Sequence, residues 1–289
     1  MKAVAANSVW ATLCDPEFGL CSDGPKVSLR PLVLVAHPDD ETIGASVILG
    51  RLSKPIVVYL TDGAPHQRSF WPSDAHGSRT DYARMRRDEA ISALSLVDVP
   101  GSRTLWLGAT DQDASFEMPA LVNSLATLLS YFSPDLIATH AYEGGHPDHD
   151  TAALVAQLAT QVIKNQRRQA PEVLEFPLYH AENCGCVQCK FLPASQHGAP
   201  PPAYVAIPLS PDERARKAQM ATCHHSQRAV LEQFPIGPEP LRPAPSYDFT
   251  KPPHPGKLWY ECLGWPMTGA RWRELASAAL DEFNQPVCP

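Results

Sequence analysis

The sequence predicts a Rossmann-like α/β fold: a three-layer arrangement around a mostly parallel sheet, with a loop-rich C-terminal part. Three observations carry the prediction. Short apolar runs alternate with amphipathic stretches through the first half, the pattern of parallel strands joined by crossover helices. Two of these runs, at residues 32–36 and 136–139, end close to clusters of histidine and aspartate, and open α/β sheets place their chemistry at the carboxyl ends of strands. The 289 residues, 44% of them hydrophobic, suffice for one large core.

Taken in order, residues 31–36 read as the first strand. Residues 41–52 read as one helix, with Ile43, Val47, Ile48 and Leu52 on a common face. Residues 55–60 form the next strand, closed by Thr61-Asp62-Gly63, and residues 81–96 a long helix whose apolar positions include Met85, Ile91 and Leu94. Residues 105–107 make a short third strand, 121–132 a helix, 135–139 the fourth strand, and 151–163 a helix entered from the second His/Asp cluster. Beyond residue 170 the pattern loosens, with proline dense at residues 200–202, 235–245 and 252–253. Thirty prolines are about twice the usual share of roughly 5%, which favours ordered loops and polyproline II segments over added helices. Such loops can wall a cleft or simply wrap the core. Residues 211–220 open an ordinary mixed-charge helix, read as a solvated face. The expected organisation is a single domain over residues 1–289, with a core at about 31–230 and a proline-rich extension at 231–289.

Composition narrows the function. The formal charge is −7, from 24 Lys+Arg against 31 Asp+Glu, and no basic block tracks a phosphate backbone, so nucleic acid is not an expected partner. No apolar run approaches the roughly 20 residues that span a bilayer. Residues 1–20 interrupt their apolar stretch with Asn7 and Ser8, against a cleaved signal; a cytoplasmic location is expected, and a homo-oligomer is admissible. Eight cysteines in a chain this long are no disulfide scaffold. Cys184, Cys186 and Cys189 form a CxCxxC cluster that with Cys223 can make a zinc site, but free thiols or a local disulfide are the better reading. No GxGxxG follows the first strand, which counts against a nucleotide-binding oxidoreductase.

The chemistry concentrates in His37-Pro38-Asp39-Asp40-Glu41 and His146-Pro147-Asp148-His149-Asp150. Two such clusters on separate strand ends suggest one shared divalent metal. A catalytic zinc site takes three nitrogen or oxygen ligands and leaves a position open for water. His37 and Asp40, at i and i+3 on a turn, can face one point; His146 and His149 share that spacing, and Pro147 suits the first turn of the following helix. One of these two histidines can complete a His/Asp/His set and leave the other to act on substrate. A lone histidine near a strand end is more often a structural hydrogen-bonding group, so the pairing of the clusters carries the metal reading.

These two clusters resemble those of the PIG-L/LmbE-like family of metal-dependent N-deacetylases. Further similar elements follow in order: Thr61-Asp62-Gly63 after the second strand, Arg86 and Glu89 as an RxxE helix motif, Gly108 and Asp111 in the loop after the third strand, and Lys217 with His224-His225-Ser226-Gln227 as a K…HxSQ pattern. The resemblance spans about residues 32–227. It implies that His37, Asp40 and His149 bind Zn2+, that Asp39 is the general base, and that His146 stabilises the oxyanion. Asp148 and Asp150 are competitors for the base role that more plausibly orient a ligand or cap a helix. Arg86 and Asp111 are candidates for binding sugar hydroxyls, against a structural ion pair, and His224, Ser226 and Gln227 can pin the C-terminal segment. Trp259, Tyr260, Trp265 and Trp272 can stack on a sugar or aglycone, or be buried against the core.

The expected function is therefore a zinc-dependent removal of an N-acetyl group from an amino sugar in a small glycoside or glycoconjugate. The same ligand set would accept iron, cobalt or nickel. The alternatives are an amidase acting on a thiol-linked pseudodisaccharide and a non-catalytic metal-stabilised binding protein, the latter leaving Asp39 without a purpose.

Overall fold

The computed structural model describes residues 8–14, 26–72, 75–192 and 202–284. The expectation on residues 1–20 and that on the prolines at 200–202 therefore lie outside the described residues, except for residues 8–14 and Pro202.

After α1 (Val9–Cys14), β1 (Pro31–Val35) is buried at every position, as a parallel strand covered on both faces must be. Its period of two divides the core: Leu32 and Leu34 enter one hydrophobic cluster, Val33 and Val35 the other. The single helix expected at 41–52 is two, α2 (Asp40–Gly44) and α3 (Ser46–Arg51). Ala45 leaves helical geometry at φ −136° and ψ 13°, and Gly44 lies on the Phe176 ring with no room for a Cβ. Then follow β2 (Ile56–Thr61), α4 (Arg79–Ser95), β3 (Thr104–Ala109), α5 (Met118–Phe132), β4 (Leu136–His140) and α6 (Pro147–Asn165). A Ser78/Asp81 capping box starts α4, two residues before the expected boundary. β3 runs through Gly108, which the sequence placed in a loop; α6 begins at Pro147, so the second His/Asp cluster forms its first turn.

Beyond residue 170 the chain is more regular than its proline content suggests. It forms β5 (Glu172–Phe176), the hairpin β6 (Tyr179–Glu182) and β7 (Gly185–Gln188), β8 (Val205–Ile207), α7 (Pro211–Cys223), α8 (Arg228–Leu231), β9 (Glu239–Pro243), α9 (Trp259–Cys262) and α10 (Gly269–Asn284). Every residue of β9 is paired, but each proline on one side only, Pro243 with Leu174 of β5 and Pro240 with Ala206 of β8. Nor is α7 merely solvated: its Lys217 is buried and donates to the Ile43 carbonyl and to Glu239 Oε1, each at 2.6 Å.

The seven-stranded sheet has the order β3-β2-β1-β4-β5-β9-β8, the first five parallel. Residues of α5, α6 and α10 build the core on one face, and those of α3, α4 and α7 the core on the other. Because β1 pairs with both β2 and β4, strand order reverses between β1 and β4. The crevice at their carboxyl ends is the usual ligand position of such a sheet.

Candidate metal centre

The two strands that flank the switch point are tied together at its edge: the Ala36 N–H donates to His140 Nε2 at 3.0 Å. The turn after β1 then carries His37, Pro38 and Asp39. Asp39 sits at φ 141°, a region costly for a residue with a side chain, of order 1–3 kcal/mol. Two groups hold it there. Glu41 Oε2 accepts the Asp39 N–H at 3.0 Å, and Arg86 Nη2 donates to Asp39 Oδ2 at 2.9 Å. Arg86 is itself fixed by the carbonyls of Pro38 (2.6 Å) and Gly63 (2.8 Å).

From β4's side, the first turn of α6 brings in the second cluster. His146 is its N-cap and accepts the Asp148 N–H on Nδ1 at 3.1 Å, with Pro147 at the first helical position. His149 follows on the same turn, facing β1. The atoms His37 Nδ1, Asp40 Oδ2 and Oδ1, and His149 Nε2 lie 3.2–3.3 Å apart: 3.2 Å between the histidines, 3.3 Å from His149 to Asp40 and 3.3 Å from His37 to Asp40. Donors that each stand about 2.0–2.1 Å from a tetrahedral zinc are separated by about 3.4 Å, a spacing these pairs approach through the two oxygens of Asp40. Buried donor groups overlap here: His37 with His146 and His149, Asp40 with His140 and His149, and His37 with Asp111, His146 and Asp148.

The surroundings orient these donors. His37 Nε2 lies 3.2 Å from Asp148 Oδ2 and 3.3 Å from Asp111 Oδ1, the carboxylate support typical of a metal-binding imidazole. Asp148 also accepts the N–H groups of Gln112 (2.6 Å) and Ala114 (3.2 Å). Asp150 accepts those of Glu143 (3.2 Å) and Gly144 (3.0 Å), and so shapes the loop ahead of His146.

The charge environment favours a cation. Burial lowers the affinity of His37 for a proton, but Asp111 and Asp40 outweigh it and hold its pKa well above 6.5. Burial also works to raise Asp40, yet His149, His140 and His37 keep it well below the usual carboxylate range. Asp39 is pushed up to about 7 by burial, with Arg86 opposing and Asp40 adding to the rise. His146 is lowered well below 6.5 by burial and by the His37 and His149 rings. With Nδ1 accepting the Asp148 N–H, Nε2 is the ring nitrogen of His146 left to donate.

These residues floor a cavity of about 390 Å³ that reaches from His37, Asp39, Asp40 and His146 past Asp111 and Arg86 to an aromatic rim. The four tail aromatics divide in two. Trp259 and Trp265 line the cavity, Trp265 with its ring 4.9 Å from that of His146; Tyr260 and Trp272 are buried in the core. Sequence reasoning missed Tyr179 and Phe234, which also line the cavity, because nothing in their local sequence distinguishes them. It also gave Glu41 no role, though the motif contains it. The K…HxSQ residues are anchors: His224 Nε2 is 3.4 Å from Glu41 Oε1, Ser226 bonds Glu89, and Gln227 donates to the Tyr82 hydroxyl at 2.7 Å. The CxCxxC cluster does not converge: Cys184 is disulfide-bonded to Cys262, neither a zinc ligand nor locally paired, while Cys186, Cys189 and Cys223 are free thiols.

Donors gathered at the switch point of a Rossmann-like sheet, under a cleft of small-molecule size, define an α/β protein with a candidate divalent-cation centre. Residues 32–160 match the family model of PIG-L, described as GlcNAc-PI de-N-acetylase. Among solved structures, a deacetylase–bog complex from the teicoplanin biosynthesis pathway is similar at a TM-score of 0.56 and 18% identity, over 76% of this chain and 99% of that one. The zinc-inhibited form of teicoplanin deacetylase Orf2 follows at 0.50 and 17%, over 75% and 100%. The A40926 pseudoaglycone deacetylase Dbv21 stands at 0.54 and 16%, over 75% and 97%. At such identities the likeness is one of fold. No curated protein sequence matches the chain. No helix among the described residues is long and apolar enough to cross a membrane.

Proposed function

We propose that the protein is a divalent-metal-dependent hydrolase that removes an N-acyl group, foremost acetyl, from an amino sugar carried on a small glycoside or glycoconjugate. The observation that carries this reading is Asp39, a strained and buried carboxylate that lines the cavity beside the metal-donor set. A purely structural metal site gives such a residue no purpose.

His37, Asp40 and His149 would hold the cation. When bound, it supplies Lewis-acid polarisation of the amide carbonyl and lowers the pKa of water toward neutrality. Asp39, with a pKa near 7, takes the proton of the attacking water and later delivers it to the departing amine nitrogen. His146 donates through Nε2 to the oxygen on which negative charge develops. Arg86 positions Asp39, its two terminal nitrogens already engaged by Asp39 and two carbonyls. Asp111 is left as the acceptor for a sugar hydroxyl, and the Trp259 and Trp265 faces suit a sugar ring or aglycone. The cavity is within the roughly 300–1,000 Å³ of small-molecule sites.

The direct test is acetate release from a panel of N-acetylglucosaminyl sugars, glycosides and sugar-bearing natural products, with Asp39→Ala and chelated protein beside the metal-loaded wild type. Release confined to the loaded wild type supports the proposal. An intact metal centre with no release from any compound would overturn it. Zinc is the first metal to load, but one structural neighbour is described in a zinc-inhibited form, so cobalt, nickel and ferrous iron belong in the same series.

A further inference from the structure

The β6–β7 hairpin forms a two-stranded sheet apart from the main one. Its register pairs Tyr179 with Gln188 and Ala181 with Cys186, so Tyr179, Cys186 and Gln188 share one face. That face lines the cavity. Trp259 and Leu263, which flank Cys262 at the end of α9, line the same cavity, and α9 lies against β6. The base of the hairpin is fixed to the core, since Glu143 Oε1 accepts the Leu178 and Tyr179 N–H groups at 2.7 and 3.0 Å. Its far end is a tight turn with Asn183 at φ 52° and Cys184 at φ 57°. From that turn Cys184 reaches across to Cys262, with a Cα–Cα distance of 5.7 Å and 78 residues between them in sequence. The bond therefore joins the tip of one lining segment to the helix that carries another. A two-stranded hairpin is marginal in water by itself, so the tip is steadied by this bond together with the packing of β6 on α9.

We propose that the Cys184–Cys262 disulfide is a clasp on the substrate cavity: it pre-orders the two lining segments it joins, so substrate affinity follows its redox state while the metal centre and the chemical step do not. The inference rests on the deacetylase reading only for what the cavity binds. Cys184 is exposed and Cys262 half-buried, which leaves the bond accessible to a small dithiol. Reduction breaks the S–S bond; the dithiol supplies two electrons and two protons, closes into its own disulfide, and leaves Cys184 and Cys262 as thiols. A bond of this kind persists where thiols stay oxidised, in tension with the cytoplasmic expectation.

The test uses the full-length, metal-loaded protein in three forms: oxidised, held in excess dithiol, and carrying Cys184→Ser with Cys262→Ser. Amide hydrogen exchange is followed at residues 179–188 and 259–265 and in strands β1 to β4 of the parallel sheet. The variant, free of the chelating dithiol, gives the metal content and the kinetics. The clasp predicts exchange faster by about tenfold at both walls, unchanged exchange in the strands, and unchanged metal content. It also predicts a KM raised about tenfold, the cost of ordering two or three side chains at binding, with kcat within about twofold. Unchanged wall exchange in both opened forms overturns it, as does loosening of the strands or loss of metal in the variant, which would make the bond a support of the fold. If the oxidised protein hydrolyses no amide, wall exchange still decides the clasp, and that failure counts against the deacetylase reading alone.

Discussion

Asp39 is the residue on which the chemistry converges, and its neighbours explain why it can serve as a base. Its φ is positive, Glu41 secures its N–H, and Arg86 holds one carboxylate oxygen at 2.9 Å. Asp39→Asn keeps the shape and removes the proton acceptor. We expect kcat to fall by about 10²–10⁴ with metal content unchanged, measured by acetate release and elemental analysis on the same sample. Arg86→Ala acts through Asp39: it leaves a buried carboxylate unpaired, a loss of about 3–5 kcal/mol in typical cases. Both the urea midpoint and kcat should drop, and Arg86→Lys should recover stability better than rate, because one ammonium cannot reach Pro38, Gly63 and Asp39 together. Equal recovery of both would remove Arg86 from the positioning role.

Among the elements, the short ones matter most to the site. Splitting the expected helix into α2 and α3 lets Gly44 close onto Phe176 and turns Ile43 toward the cavity. Lys217 of α7 then binds the Ile43 carbonyl and Glu239 of β9, fastening a C-terminal helix and strand to the segment just after the motif. Lys217→Met should cost about 3–5 kcal/mol by leaving Glu239 buried without its opposite charge, though still bonded to Ser46 and Val47, while the double variant with Glu239→Leu should recover much of the loss in the same urea titration. A full loss in the double variant would mean that packing, not charge, holds the joint. Gly145, between the Asp150-bound loop and α6, has the Tyr179 carbonyl where a Cβ would stand. Gly145→Ala should therefore displace the β6–β7 hairpin and raise KM more than it lowers kcat, and an unaltered KM would detach that wall from substrate binding.

Over the whole molecule, a cation held by the proposed donors would couple the two halves of the parallel sheet, since His37 and Asp40 follow β1 and His149 lies in the helix after β4. A ligand that binds only the folded state stabilises it by mass action, by about 2.7 kcal/mol at a hundredfold excess over Kd. Chelation should lower the Tm, and Asp40→Asn should abolish the difference between loaded and chelated protein in a thermal melt. A chelation-sensitive Tm that persists in Asp40→Asn would place the stabilising metal elsewhere. The C-terminal part belongs to this whole rather than trailing from it: Trp272 of α10 donates to the Pro147 carbonyl at 3.0 Å and to Thr151 at 3.1 Å, so the last helix braces the turn that presents His146 and His149.

By itself the sequence determined the alternating strands and helices of the first half and the two His/Asp clusters. Both are local: a strand's apolar run and a motif's i, i+3 spacing are written within a few consecutive residues. Only the tertiary structure decided that Trp259 and Trp265 face the cavity while Tyr260 and Trp272 enter the core, that Arg86 is held against Asp39, and that Cys184 pairs with Cys262 rather than with its neighbours in CxCxxC. Each of these depends on residues distant in the chain meeting through packing, and no periodicity records such a meeting. The proline-rich second half misled for the same reason. Proline discourages a helix locally, but long-range pairing with β5 and burial against α6 supplied the free energy that made β9 and α10 regular.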